Sequence, residues 1–202
     1  MSVPSAYWIQ TRTGVYNFLH PNFSTKITLL DIAHPLSRIV RFGGHSRLRW
    51  TVAEHSMFVN EIGMQLLSSK EDQRMASPYL LLHDAHEAFV GDMCAPLKKY
   101  LAAIKGFNFK EIEAESDRRI RLDLHLPPSP PSWVNELMSE ADVYALKLER
   151  DAFMASKHEW VIDEVKIPSN LNVSLKGELP PNRLTRKFTR EIEQAIRDYP
   201  HA

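Results

Sequence analysis

The chain has 202 residues and no formal net charge, so no overall field favours a nucleic acid polymer or an anionic membrane as partner. Its hydrophobic content of 44% and charged content of 25% are typical of a globular chain, and we expect one domain spanning 1–202. The single cysteine, Cys94, excludes an intrachain disulfide, and the lack of a signal segment or a long apolar run predicts a cytoplasmic location.

The predicted elements are mostly helical. Residues 1–30 predict turns and a short irregular or β segment, in which two strands could pair. Helices follow at about 30–42, 52–69, 78–90, 95–109, 110–126, 134–154 and 185–199. Ser77 is the expected N-cap of the third helix, and four prolines between Pro127 and Pro131 predict a rigid loop. This pattern indicates an all-α fold.

The third predicted helix carries several titratable side chains in an apolar setting. Leu80, His83 and Glu87 are spaced i, i+3 and i+7, so a helix would place them on one face. Asp84 would lie about 100° round the helix, beside that face. Because burying an unpaired charge is costly, these side chains are expected to face a polar pocket rather than a dry core.

Two further side chains could join the same pocket. His55 lies on the apolar stripe of the helix predicted at 52–69, and Asp142 lies at the edge of the apolar stripe of a later helix. Each residue taken singly is more typical of an ordinary structural role. Together with His83 and Asp84 they make a mixed nitrogen and oxygen site for a divalent transition metal, for which manganese, cobalt, zinc and iron all remain open.

The series "TVAEHS", "LLHDAHEAFVGDMCAPLK" and "SEADVYALKLE" resembles the HD-domain metal-dependent phosphohydrolases. It is most similar to the 5'-deoxynucleotidase branch, which also includes phage dATP triphosphohydrolases. The resemblance implies an HD-domain helical bundle with a core at about 31–153 and a C-terminal extension at about 161–202. It also implies four metal ligands, which are His55, His83, Asp84 and Asp142.

The resemblance implies further roles around the metal. Glu87 and Asp92 match the acidic residues that follow the HD pair, and we expect Glu87 to orient or deprotonate the attacking water. Asp92 would assist the leaving 5'-oxygen. Arg41 and Lys98 match the basic residues that hold the phosphates of the nucleotide.

Two apolar residues complete the expected substrate site. Phe42 follows the upstream arginine and would pack on the base or the sugar, whereas Pro96 would shape the pocket near the base. His86 stands where this family often has a small residue, and neither His86 nor His45 receives a role from the sequence.

Three functions are compatible with these residues. The first expectation is a dATP triphosphohydrolase, which releases deoxynucleoside and triphosphate by means of a metal-activated water. The alternative is a 5'-deoxynucleotidase that acts on deoxynucleoside monophosphates. An alternative of another class is a non-catalytic, metal-bound module that senses nucleotides. The resemblance also implies a homo-oligomer.

Overall fold

The computed structural model of the protein describes residues 7–19, 24–105, 108–155, 158, 160–175 and 179–200, and the other positions of the predicted 1–202 domain lie outside the described residues. The fold is all-α, as predicted, apart from one small sheet. The strands are β1 (Trp8–Gln10) and β2 (Val15–Asn17). The helices are α1 (Leu29–Leu36), α2 (Val52–Leu66), α3 (Lys70–Leu81), α4 (Glu87–Val90), α5 (Ala95–Lys105), α6 (Phe109–Asp123), α7 (Ser132–Phe153) and α8 (Pro181–Asp198).

The N-terminal strand pair is confirmed, and it is tied to the first helix. The two strands run antiparallel, with Ile9 opposite Tyr16. Thr28 caps α1 in a capping box with Asp31, which satisfies the free amides of the first turn. The same Asp31 accepts hydrogen bonds from the backbone N–H and the hydroxyl of Thr13, at 2.7 and 2.6 Å. The hairpin is therefore held against the start of α1.

The prediction that this first helix continues to the glycine pair is wrong. It ends at Leu36, where the hydroxyl of Ser37 joins its own N–H on the carbonyl of Ala33 at 2.6 Å and the N–H of Arg38 bonds only three residues back, to Pro35. A separate 3₁₀ turn follows at Arg41–Gly44. Arg41, one of the two basic residues predicted to bind phosphate, thus lies on a turn and not on a helix.

The predicted boundaries of the helix at 78–90 are also wrong. The hydroxyl of Ser69, not that of Ser77, caps the helix, so α3 begins about two turns earlier than expected. Ser77 lies inside α3, where its hydroxyl donates to the side-chain oxygen of Asn60 on α2 at 3.0 Å. This bond joins α3 to α2 near the middle of the molecule.

The polar motif itself lies on a turn at residues 82–86, which we term the HD turn. The carbonyl of Leu80 accepts a hydrogen bond from Nδ1 of His83 at 2.9 Å, and this side chain competes with the backbone ladder. Beyond it the amides bond three residues back, as in the bond from Ala85 N–H to the carbonyl of Leu82 at 3.1 Å. The chain resumes as the short α4. The directions of the side chains of the HD turn are therefore set by the turn and not by the faces of a helix.

Helix α2 lies between the two parts of the hydrophobic core. On one side it packs against α3 and α7, where Val59, Ile62, Tyr79, Leu80, Ala141 and Ala145 are fully buried. On the other side Val52 and Ala53 join a cluster that is completed by α1 and α8. This arrangement sets the start of α2, the HD turn and the middle of α7 side by side.

Helix α8 forms part of this second cluster. Leu184, Phe188 and Ile192 are fully buried and pack with Ile32 and Leu36 of α1. The segment between α7 and α8 contains a 3₁₀ turn at Val161–Glu164 and otherwise irregular chain in its described part. None of the described helices is long and apolar enough to cross a membrane.

Candidate active site

The first turn of α2 places His55 at the centre of the site. Thr51 caps this helix through a capping box, so the position of its first turn is fixed, and His55 is fully buried. Its Nε2 atom lies 3.0 Å from Oδ1 of Asp142 on α7 and 3.2 Å from Nε2 of His83. The same Nε2 lies 3.5 Å from Oδ2 of Asp84. The structure thus brings together the four predicted metal ligands.

The HD turn supplies two of these side chains. His83 and Asp84 converge because the turn is tight, and Nε2 of His83 lies 3.2 Å from Oδ2 of Asp84. Although burial raises the pKa of Asp84, the adjacent His83, His55 and Arg41 hold it well below its usual range. Asp84 is therefore an ionised, acceptor-only carboxylate at neutral pH.

The hydrogen bonds of the two imidazoles suit a bound cation. Nδ1 of His55 lies 2.7 Å from Oε1 of Glu149, and Nδ1 of His83 lies 2.9 Å from the carbonyl of Leu80. Because a carboxylate and a carbonyl only accept, both Nδ1 atoms donate. Burial and Arg41 lower the pKa of His55, but Glu149 and Asp142 outweigh them and raise it to about 10, so its Nε2–H donates to Asp142. A bound metal would displace this proton, and a neutral ring presents a lone pair at Nε2. Two such lone pairs 3.2 Å apart, next to carboxylates, form a donor set that fits a divalent transition metal.

One edge of this centre is open. The side chain of Asp142 keeps 43% of its surface exposed and that of Asp84 keeps 19%, whereas His55 has none. Burial raises the pKa of Asp142, but the hydrogen bond from His55 outweighs this effect and lowers it. A water molecule or a substrate can therefore reach the ligands from the side of Asp142.

Glu149 is a functional residue that the sequence reasoning missed. It is fully buried on α7. One of its carboxylate oxygens contacts His55, and the other, Oε2, lies 3.2 Å from Nε of Arg41. Burial raises its pKa, but the charges of His55 and Arg41 lower it further than burial raises it. The sequence could have indicated Glu149 by its position seven residues after Asp142, because this spacing places both carboxylates on one face of a helix.

Arg41 is held next to the metal centre by backbone pairing. Val40 and Thr51 form an isolated antiparallel bridge, and the N–H of Arg41 donates to the carbonyl of Trp50 at 2.8 Å. Its guanidinium is mostly buried and lies 3.5 Å from Oδ2 of Asp84. Burial lowers its pKa, but the surrounding carboxylates raise it, so Arg41 remains charged.

Glu87 and Asp92 differ from the predicted metal ligands in their protonation. Glu87 is 4% exposed, and within the described part of the chain its Oε2 atom has no hydrogen-bond partner. Burial, together with the charges of Asp84 and Asp92, raises the pKa of Glu87 to about 9. Burial also raises the pKa of Asp92. Both carboxyl groups are thus suited to hold a proton.

A family model described as "5'-deoxynucleotidase YfbR-like" matches residues 28–148, which is more than half of the chain. The chain belongs to this family. It is accordingly an HD-type, metal-dependent deoxynucleotide phosphohydrolase, as the sequence predicts. The matched segment begins at Thr28, the cap of α1, and ends at Leu148, one residue before Glu149.

Two curated relatives are similar to this YfbR-like chain. The uncharacterised protein YfdR of Escherichia coli K12 is 29% identical over 149 residues, covering 72% of this chain and 76% of YfdR. An uncharacterised protein of Rhodobacter capsulatus is 33% identical over 128 residues, covering 62% of each chain.

Lys98 lies in a charged network that includes the unassigned His86. Nδ1 of His86 lies 3.1 Å from Oδ1 of Asp117, and its Nε2 lies 3.5 Å from Oε1 of Glu113, both on α6. The ammonium of Lys98 lies 2.5 Å from the same Oε1 of Glu113. Burial lowers the pKa of His86, but the two carboxylates outweigh this effect and raise it to about 10.

The two predicted apolar substrate residues lie further out. The backbone of Phe42 is in the left-handed region with φ of 58°, which costs of the order of 1–3 kcal/mol for a residue with a Cβ. Its ring centroid lies 5.7 Å from Cζ of Arg41 and 6.3 Å from the ring of Trp160. Pro96 is exposed in the first turn of α5, two residues before Lys98.

Proposed function

We propose that this protein is a 5'-deoxynucleotidase that hydrolyses deoxynucleoside 5'-monophosphates to deoxynucleoside and phosphate. The observation that carries the proposal is the convergence of two imidazole Nε2 atoms and two carboxylates in a YfbR-like chain. The proposed metal ligands are His55, His83, Asp84 and Asp142. A divalent metal bound there supplies Lewis acidity, which lowers the pKa of a water molecule and polarises a phosphoryl oxygen.

We assign proton transfer to Glu87 and Asp92. The unpartnered Oε2 of Glu87 can accept the proton of the attacking water. The charge of Asp84 is one cause of the raised pKa of Glu87, so a cation held beside Asp84 would favour the basic form of Glu87. Asp92, whose pKa burial raises, can donate a proton to the leaving 5'-oxygen.

We assign phosphate binding to Arg41 and Lys98. The Nε of Arg41 is held by Glu149, which leaves the guanidinium oriented toward the metal centre, where Asp84 is 3.5 Å away. Arginine suits the planar, bidentate grip of a phosphate, and lysine adds a point charge. Both charges stabilise the negative charge that grows on the phosphoryl oxygens in the transition state.

We assign binding of the nucleoside part of the substrate to the aromatic and apolar residues Phe42 and Pro96. Phe42 follows Arg41 directly and lies within 6.3 Å of the ring of Trp160, so it can pack on the base or the sugar. Pro96 lies at the start of the helix that carries Lys98, and its rigid ring can limit the space near the base.

A monophosphate fits these charges better than a triphosphate. The segment 135–141, which precedes the ligand Asp142, contains no lysine or arginine that could bind further phosphates. The family description also names a 5'-deoxynucleotidase. The expectation of a dATP triphosphohydrolase is therefore less well supported than the alternative with monophosphates.

The test is hydrolysis by metal-reconstituted protein of all deoxy- and ribonucleoside mono- and triphosphates, with Asp84→Ala as the inactive control. Phosphate release from deoxynucleoside monophosphates, lost in the variant, supports the proposal. Triphosphate release from a deoxynucleoside triphosphate would establish the triphosphohydrolase instead. Tight nucleotide binding without any turnover would favour the nucleotide-sensing module.

We also propose that the protein is a cytoplasmic homo-oligomer. Leu97, Tyr100 and Ile104 are 43%, 62% and 51% exposed, and their spacing of i, i+3 and i+7 places them in one stripe on α5. An apolar stripe of this kind suits a subunit contact. Light scattering should give a mass above that of one chain, and Tyr100→Glu should lower it. The exposed, unpaired Cys94 fits a reducing compartment.

A further inference from the structure

The HD turn carries a buried imidazole that the proposed reaction does not use. His86 is 6% exposed, and each of its ring nitrogens faces a carboxylate of α6. Nδ1 lies 3.1 Å from Asp117 and Nε2 lies 3.5 Å from Glu113. The hydrogen bond from Nδ1 to Asp117 fixes the orientation of the ring, and this orientation places Nε2 in a longer ion-pair contact with Glu113.

The Glu113 carboxylate links this imidazole to Lys98. A single oxygen, Oε1 of Glu113, lies 3.5 Å from Nε2 of His86 and 2.5 Å from Nζ of Lys98. The HD turn, α6 and α5 are therefore connected through one atom. Lys98 keeps 28% of its side chain exposed, so without this contact its long chain would sample many rotamers.

We propose that His86 is a positioning residue for phosphate binding: it anchors Glu113, and Glu113 holds Nζ of Lys98 in place for the substrate. The inference rests on the proposed function, in which Lys98 binds phosphate. In this proposal the effect of His86 passes through Glu113 and not through a contact with the substrate.

The contact between His86 and Asp117 has a separate, structural role. Asp117 also pairs with Arg121 on the same helix, with Oδ2 lying 3.4 Å from the guanidinium. Arg121 in turn lies over the ring of Tyr79 at 5.9 Å, in the core. The contact from Nδ1 of His86 to Asp117 thus ties the HD turn to the fold, whereas the contact from Nε2 to Glu113 serves Lys98.

Two conservative substitutions separate these contacts. In His86→Asn the amide reaches about as far as Nδ1, so it can keep the bond to Asp117 and loses the contact with Glu113. In His86→Gln the amide reaches about as far as Nε2, so it can keep Glu113 anchored. The measurements are KM and kcat for a deoxynucleoside monophosphate and the inhibition constant of inorganic phosphate.

We expect His86→Asn to raise KM and the inhibition constant of phosphate by about two- to tenfold, the range that corresponds to immobilising one long side chain. The kcat should change less than KM, and His86→Gln should stay within about twofold of the wild type. Glu113→Gln should resemble His86→Asn. Glu115→Gln is the matched control, since this partly exposed glutamate on α6 pairs only with the surface residue Arg118 among the ion pairs seen in the described residues.

A double-mutant cycle with Lys98→Ala completes the test. If His86 acts through Lys98, adding His86→Asn to Lys98→Ala should raise KM no further. Additive effects, equal effects of Asn and Gln at position 86, or an unchanged KM in His86→Asn would each overturn the inference. If Lys98→Ala alone leaves phosphate inhibition unchanged, the phosphate role of Lys98 is refuted and the inference with it, while turnover of monophosphates would still support the reaction class.

Discussion

Replacing Glu149 by alanine should weaken metal binding without removing a metal ligand. Its carboxylate accepts from Nδ1 of His55 at 2.7 Å and lies 3.2 Å from Nε of Arg41, with no exposure to water. The first contact sets the tautomer and the ring orientation of a ligand. Partners of this kind typically contribute 10–100-fold to metal affinity, which corresponds to about 1.4–2.8 kcal/mol.

The same substitution should destabilise the metal-free fold. Removing one partner of a buried ion pair costs about 3–5 kcal/mol, because the remaining charge is left without compensation. Arg41 keeps a second carboxylate, Asp84, at 3.5 Å, so we expect a value near the lower end of that range. Glu149→Gln should lose less affinity than Glu149→Ala, because the amide oxygen can still accept from His55.

Both effects can be measured on the purified protein. Metal affinity is obtained by competition with a chromogenic chelator for Co²⁺ or Zn²⁺, and the free energy of unfolding by urea titration of the metal-free form. Glu140→Ala is the matched control on α7, because Glu140 is exposed and contacts Tyr144 at the surface. If folded Glu149→Ala binds metal within about twofold of the wild type, Glu149 does not orient His55 and the reasoning fails.

Three further predictions follow from the site and the core. The Glu87→Gln protein should retain its metal content, measured by elemental analysis. Its kcat should be lower by about 10²-fold or more, as expected for loss of a general base. An unchanged kcat would contradict the assigned role. The nearby His86 and the hydrogen bond from Lys98 lower the pKa of Glu113 to about 2, from an ordinary value of 4.5. The ionised form of Glu113 therefore stabilises the fold above about pH 4.5, and this contribution is lost as the pH falls toward 2. The stability difference between metal-free wild type and Glu113→Gln should accordingly shrink on acidification in urea titrations, and a difference that grows would refute the assignment. Phe188→Ala, at a fully buried position of α8, should lower the free energy of unfolding by about 3–5 kcal/mol, whereas a cost below about 1 kcal/mol would mean that α8 is not part of the cooperative core.

Much of the metal centre could be predicted because it depends on local patterns. His55 lies on the apolar stripe of an amphipathic helix, and Asp142 lies at the edge of another, so periodicity alone indicates that both face inward. The pair of His83 and Asp84 also converges with them, although the helical reasoning for that pair was wrong. The tight turn there arises from a side-chain bond to the carbonyl of Leu80, which propensities do not reveal.

The supporting contacts could not be predicted in the same way. Glu149 and Arg41 are 108 positions apart, and His86 and Asp117 are 31 apart, so only the packed fold brings each pair together. The α6 segment shows dense charge, which is typical of a solvated face, and Glu113 is indistinguishable in sequence from its more exposed neighbour Glu115. Tertiary context decides which of the two carboxylates contacts the HD turn.

The packing of α8 against α1 has a consequence for the synthesis of the protein. The apolar surfaces of Ile32 and Leu36 are covered by side chains of α8, which is synthesised much later than α1. Until α8 has left the ribosome, the nascent chain exposes those surfaces, so this core closes only after both helices have been made. Products truncated before residue 181 should therefore be handled by chaperones and proteases as unfolded chains.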